Sequence, residues 1–138
     1  MKKFVVLCLV VLSCVACGKI RQDVFWVQVR IVNNTDAIIY YENNIPGDYI
    51  SKDGSLPPSN IVEIFGQGRL ERCFYRFGDF LETLPDDVKN GEVRINNQGS
   101  LTVCSLSELP LHFRMEEKVE RNHYRLHCVT LFVYFYVE

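Results

Sequence analysis

From Val24 to Asn33 (VFWVQVRIVN) apolar and polar positions alternate, with Phe25, Val27, Val29 and Ile31 on one side and Trp26, Gln28 and Arg30 on the other. A period of two is that of a strand with one buried face. The cluster Asn33-Asn34-Thr35-Asp36 reads as a turn and residues 37–42 (AIIYYE) as a β-rich partner, which predicts a hairpin. Residues 43–60, rich in Pro, Gly, Asp and Ser, read as a long loop, and 61–65 as a short strand. Gly66-Gln67-Gly68 reads as a turn or bulge. The spacing changes at 69–84, where Leu70, Cys73, Phe74, Phe77, Leu81 and Leu84 recur every three or four residues. Asp79 and Glu82 fit an N-cap and N3 pair and Pro85 disfavours α geometry at Leu84, so a helix is expected over 80–84. Its start is open, at Arg69 or after a break at Gly78. Strands resume at 92–96 and 101–105 around Asn97-Gln98-Gly99-Ser100, with another expected at 111–115 and a charged connection at 116–122. The final segment, 124–137 (YRLHCVTLFVYFYV), is continuously β-branched and aromatic, the composition of a strand buried on both faces.

About seven short strands with one short α-helical connection predict a mainly β domain over residues 24–138, an antiparallel β-sandwich of immunoglobulin-like layout. The chain has 138 residues, 48% hydrophobic and 23% charged, which excludes a disordered tail protein and a polytopic membrane protein. Its formal net charge is −2 and its Lys and Arg are dispersed, so the electrostatic footprint of a nucleic-acid binder is missing. A domain of about 115 residues buries roughly two-thirds of its unfolded surface and needs neither disulfide nor metal to stand. The chain ends in Glu138 rather than in the aromatic residue of an outer-membrane barrel strand, which argues against a barrel.

The first residues carry a different signal. Met1-Lys2-Lys3 is a positive n-region and Phe4 to Ala16 an apolar run of thirteen residues, too short to span a bilayer but suited to a secretory h-region. The run ends in Cys14-Val15-Ala16-Cys17-Gly18, which resembles the lipobox of bacterial lipoproteins, with Cys14 standing where that motif has Leu, Val or Ile. The resemblance implies a signal peptide at 1–16, a lipidated Cys17 (alternative Cys14) and a tether over 17–23. A thioether-linked diacylglycerol plus an N-terminal acyl chain makes a durable anchor, whereas one chain does not. Loss of Lys2 and Lys3 with the leader takes the charge from −2 to −4, so the lipid and not electrostatics must hold the membrane. The tether GKIRQD has no acidic residue directly after Cys17, which points to the outer membrane and its periplasmic side. The leader, VRIVNNTDAIIYY, SLPPSN and FGDFLETL together resemble small single-domain envelope lipoproteins of Gram-negative bacteria. That likeness implies a location and a fold, and no catalytic motif comes with it.

Candidate chemistry is sparse. Cys14 and Cys17 have CxxC spacing but lie in the leader. Of Cys73, Cys104 and Cys128, the pair Cys104–Cys128 is the first choice for a disulfide, because both lie on expected strands and export permits oxidation; buried unpaired thiols are the equal alternative. His123 and His127 are four residues apart; on a strand that is about 13 Å, too far for one tetrahedral metal site. His112 has no acid or nucleophile at a recognisable spacing, and Asp79, Glu82, Asp86 and Asp87 lack a calcium-loop pattern. No nucleotide or hydrolase motif is present, so no catalytic residue, metal or cofactor is expected and the protein reads as a non-enzyme. The expected partner besides the membrane is an envelope protein. The alternative is a small ligand such as a glycan, stacked on Trp26, Tyr40, Tyr41 or Tyr49.

Overall fold

The computed structural model describes residues 24–47, 51–70, 72–122 and 128–138. They form eight strands: β1 (Val24–Asn33), β2 (Ile39–Asn43), β3 (Asp53–Leu56), β4 (Ile61–Leu70), β5 (Glu92–Asn97), β6 (Ser100–Ser105), β7 (Arg114–Asn122) and β8 (Cys128–Val137). Three one-turn helices interrupt them, α1 (Phe77–Leu81), α2 (Asp86–Lys89) and α3 (Leu109–His112), the last preceded by a 3-10 turn at Leu106–Glu108. The strands make two four-stranded sheets, ordered β4-β1-β8-β7 and β3-β2-β5-β6. The protein is mainly β, with one buried cluster drawn from both sheets in a sandwich-like arrangement.

Alternation decides which side of each strand enters that cluster. In β1 the buried residues are Phe25, Val27, Val29, Ile31 and Asn33, and in β8 they are Val129, Leu131, Val133, Phe135 and Val137. β8 is thus buried on one face only, which corrects the expectation of burial on both. Its other face, with Phe132 and Tyr134, is half-buried because Arg30 of β1 lies across the two rings, 4.8 and 5.8 Å from their centroids. A second departure is directional. β1 and β8 run parallel over ten residues, from Val24 opposite Cys128 to Asn33 opposite Val137, while every other pairing is antiparallel.

The strands of the first sheet reach ten residues and those of the second only four to six, so one end of the first sheet needs another cover. Phe74, Phe77 and Phe80 supply it. Phe74 packs edge-on against Phe25 at 5.5 Å, Phe77 against Phe135 at 5.8 Å, and Phe80 lies between them. The apolar spacing of 69–84 therefore serves packing more than a long helix. β4 runs to Leu70 through Gly66-Gln67-Gly68, and α1 has the expected five residues but lies three positions earlier than 80–84. Its cap also differs, because Arg76 is the N-cap residue and the Phe77 N–H donates to Glu117 Oε1 of β7 at 2.7 Å, while Asp79 lies in the first turn and Glu82 is the C-cap residue. Four further expectations differ. β1 and β2 belong to different sheets and form no hairpin, and β3 lies inside the expected loop. α3 takes Leu111 and His112 of the strand expected at 111–115 while Arg114 and Met115 open β7, and the charged 116–122 belongs to β7.

Two asparagines, Asn33 and Asn43, are the fully buried polar side chains among the described residues. Each joins the sheets. Asn33 at the end of β1 donates through Nδ2 to the Leu56 carbonyl at the end of β3, 2.8 Å, while its Oδ1 accepts from Thr35 N–H. Asn43 at the end of β2 donates to the Ile64 carbonyl of β4, 2.6 Å, and accepts from Ile45 N–H, 3.0 Å. A buried carboxamide with both ends satisfied is stable and directional, and here it fixes how the two sheets meet.

Candidate interaction surface

The outward face of the β3-β2-β5-β6 sheet is a regular grid set by strand register. Ser55, Tyr40, Asn96 and Leu101 form one row across the four strands. Asp53, Glu42, Arg94 and Val103 form the next. The acidic end lies at β3, the cation in the middle, and the apolar end at β6. Tyr40 is 58% exposed, Leu101 57% and Val103 42%. The grid floors an open groove of about 700 Å³ whose wall includes Asp53, Gly54 and Ser55. Glu42 faces both Asp53 and Arg94 across the ladder, and Arg94 pairs with Glu92 at 2.7 Å. Like charges directly opposite on neighbouring strands repel, so this floor holds polar groups available to a guest.

The other outward face is spent on itself. On β1 and β8, Arg30 covers Phe132 and Tyr134 and is held by Gln28 Oε1 at 2.6 Å. At the rim Arg114 stacks on Tyr136 at 4.0 Å and pairs with Glu138 at 2.7 Å, while the Tyr136 hydroxyl donates to Glu116, 2.7 Å. Trp26, 45% exposed, lies against the Gly68 backbone, where a Cβ would come within 2.8 Å of the indole. Arginine stacked on aromatic rings removes apolar surface from water without a partner.

Of the expected stacking residues, Tyr40 and Tyr41 both line the groove and Trp26 does not. Tyr40 lies on one outer face and Trp26 on the other. Tyr41 faces the core, its ring over Gly54 and its hydroxyl bonded to Ser51 Oγ. Tyr49 lies outside the described residues, as do the lipidation candidates Cys14 and Cys17 and the histidines His123 and His127. Cys104 and Cys128 do not meet either, since Cys104 points into the core from β6 and Cys128 opens β8 in the other sheet on its half-buried face; both are free thiols. Burial, and secondarily Glu108, pushes the Cys104 thiol up to about 11.

A smaller polar cleft of about 320 Å³ opens where β5, β6 and the end of β8 converge, lined by Thr102, His112, Arg114 and Glu138. The buried Asn97 Oδ1 lies there with no hydrogen-bond partner. Sequence reading missed this cleft because its residues come from four separate segments. Among the described residues no group of three His, Cys, Asp or Glu is placed to hold a metal, and no helix is long and apolar enough to cross a membrane. Comparison of the chain with protein-family models, with curated proteins and with solved structures returns no match.

Proposed function

We propose that this chain is a lipid-anchored lipoprotein of the cell envelope whose immunoglobulin-like β-sandwich serves as a non-enzymatic protein-interaction or structural module, held at the outer membrane on its periplasmic side. The observation that carries the interaction reading is the exposure of Tyr40, Leu101 and Val103 together on one sheet face, while on the opposite face arginine covers Phe132, Tyr134 and Tyr136 and Trp26 lies against Gly68. Apolar side chains gathered on one patch mark a contact surface, whereas scattered ones do not. The anchoring half rests on Ala16-Cys17 after the apolar run.

Two measurements test the two halves. Cys17→Ser is expected to release the protein from the membrane fraction while Cys14→Ser leaves it bound, and mass spectrometry of the mature N-terminus should find lipid on Cys17. Lipid on Cys14, or an unmodified Cys17, overturns the anchor. A photo-crosslinking side chain placed at Tyr40 in intact envelopes should give a discrete protein adduct, and the same group at Trp26 should not. Equal labelling at both sites removes the assignment to this face.

The groove favours one second reading. Tyr40 beside Asn96, Glu42 and Arg94 offers a ring for stacking and planar polar groups for hydroxyls, which suits a glycan. Co-sedimentation with purified peptidoglycan, lost in Tyr40→Ala, would favour that ligand over a protein partner.

A further inference from the structure

A sheet edge presents a row of unpaired N–H and C=O groups, and proteins blunt such edges with charge, proline, bulges or shortness. Three of the four edges here are blunted. β7 carries Arg114, Glu116, Glu117, Lys118, Glu120 and Arg121 within nine residues. β3 has four residues, begins with Asp53 and runs into Pro57-Pro58. β4 carries Glu63 and a register shift opposite Val29 and Arg30. β6, Ser100–Ser105 (SLTVCS), has no charge, no proline, no glycine and no bulge, and no described strand pairs with it on its outer side.

Hydrogen-bond parity says which groups of β6 are free. The β5–β6 turn is the two residues Gln98 and Gly99, both at positive φ (53° and 87°), which makes Asn97 and Ser100 a hydrogen-bonded pair. Pairing alternates along an antiparallel ladder. Thr102 and Cys104 therefore also turn their backbone groups toward β5, while Leu101 and Val103 aim theirs outward. The Ser105 N–H is already taken by Glu108 Oε2 at 3.0 Å. The free stretch is thus Leu101 to Val103. Its side chains at 101 and 103 are exposed, and Leu111 of α3, the helix packed on β6, is 82% exposed.

We infer that β6 pairs with β6 of a second copy of this chain, antiparallel about a two-fold axis at Thr102. In that register Leu101 lies opposite Val103 of the second copy, and Val103 opposite its Leu101. Both are outward-aimed pairs, so each exchanges two backbone hydrogen bonds and the set of four closes with none left over. The paired Leu and Val side chains fall on the same outer face, where cross-strand apolar neighbours stabilise a sheet. Charge opposes the same arrangement at β7. The equivalent two-fold pairing of β7 about Lys118 would set Lys118 against Lys118 and Glu116 against Glu120. The two copies would then share one eight-stranded sheet. The inference goes beyond the proposed function, since it requires neither the lipid nor any other partner.

Sedimentation equilibrium of the full chain in a mild non-ionic detergent tests it, with Cys17→Ser in a parallel arm to separate the pairing from anchoring. Both forms should show a two-copy mass, and Leu101→Lys with Val103→Lys should weaken association at least tenfold at unchanged circular dichroism. Thr102→Cys should cross-link two copies under mild oxidation, above the level of the unaltered chain, whereas Glu116→Cys should not; this arm needs no lysine variant to fold. A monomer up to about 100 μM, where even a weak dimer is populated, overturns the inference. So does a dimer indifferent to the two lysines, a cross-link through position 116 instead of 102, or a monomer whose β6 takes up an extended segment of another protein.

Discussion

Cys104 is the residue whose chemistry the fold alters most. Its thiol is raised from 9.0 to about 11 by burial, so the folded state holds its proton where the unfolded chain has lost it. A raised value contributes nothing adverse below the unfolded one and costs stability as pH rises through the window. Urea midpoints should accordingly be insensitive to this group below pH 9 and fall between 9 and 11, with Cys104→Ala removing that part of the decline. Alkylation at pH 8 should modify Cys128 well before Cys104, checked by peptide mass mapping. The buried asparagines act through geometry instead. Asn43→Ala strands the Ile64 carbonyl and the Ile45 N–H away from water, and the expected loss is about 2–3 kcal/mol by urea titration. Nothing in the sequence separates Asn33 and Asn43 from the chain's other asparagines, because their role depends on carbonyls 23 and 21 residues distant.

Among elements, β8 gives the sharpest contrast. Leu131 points into the core and Phe132 away from it, so Leu131→Ala should cost about 2–5 kcal/mol. Phe132→Ala, which removes a half-buried ring and its arginine contact, should cost under about 2 kcal/mol. Similar losses would mean that both faces are equally enclosed. In β4, Gly68→Ala should push the indole of Trp26 off the backbone and shift the chain's one tryptophan emission to the red. Strands with one wet face were legible: β1 matches its expected bounds, and β5 and β6 each gain one residue. β7 was not, since an edge strand with charge on both faces has the composition of a linker. β3, DGSL, has no β-rich residue run and exists because β2 offers it a ladder. The phenylalanines at 74, 77 and 80 have helical spacing because they wrap an end of the core, and periodicity alone does not distinguish that from a longer helix. At the candidate surface Tyr40 was readable as a ligand or partner contact, but the separation of Trp26 from it required knowing which sheet each strand joins.

At the scale of the molecule, β1 and β8 are the first and last described strands, yet they are adjacent and interior in one sheet. Because they run parallel, the leading end of β1 and the trailing end of β8 leave the ladder at opposite ends, at Val24 and Val137. Tension applied between the two ends of the domain therefore slides one strand along the other. The ten-residue ladder resists such sliding with all its hydrogen bonds at once, whereas a hairpin pulled at its open end yields one bond at a time. Single-molecule pulling through residues 24 and 137 should accordingly require more force than pulling through Glu92 and Ser105, which unzips β5 from β6. A module tethered at its front and gripped from behind would bear load as a mechanical clamp.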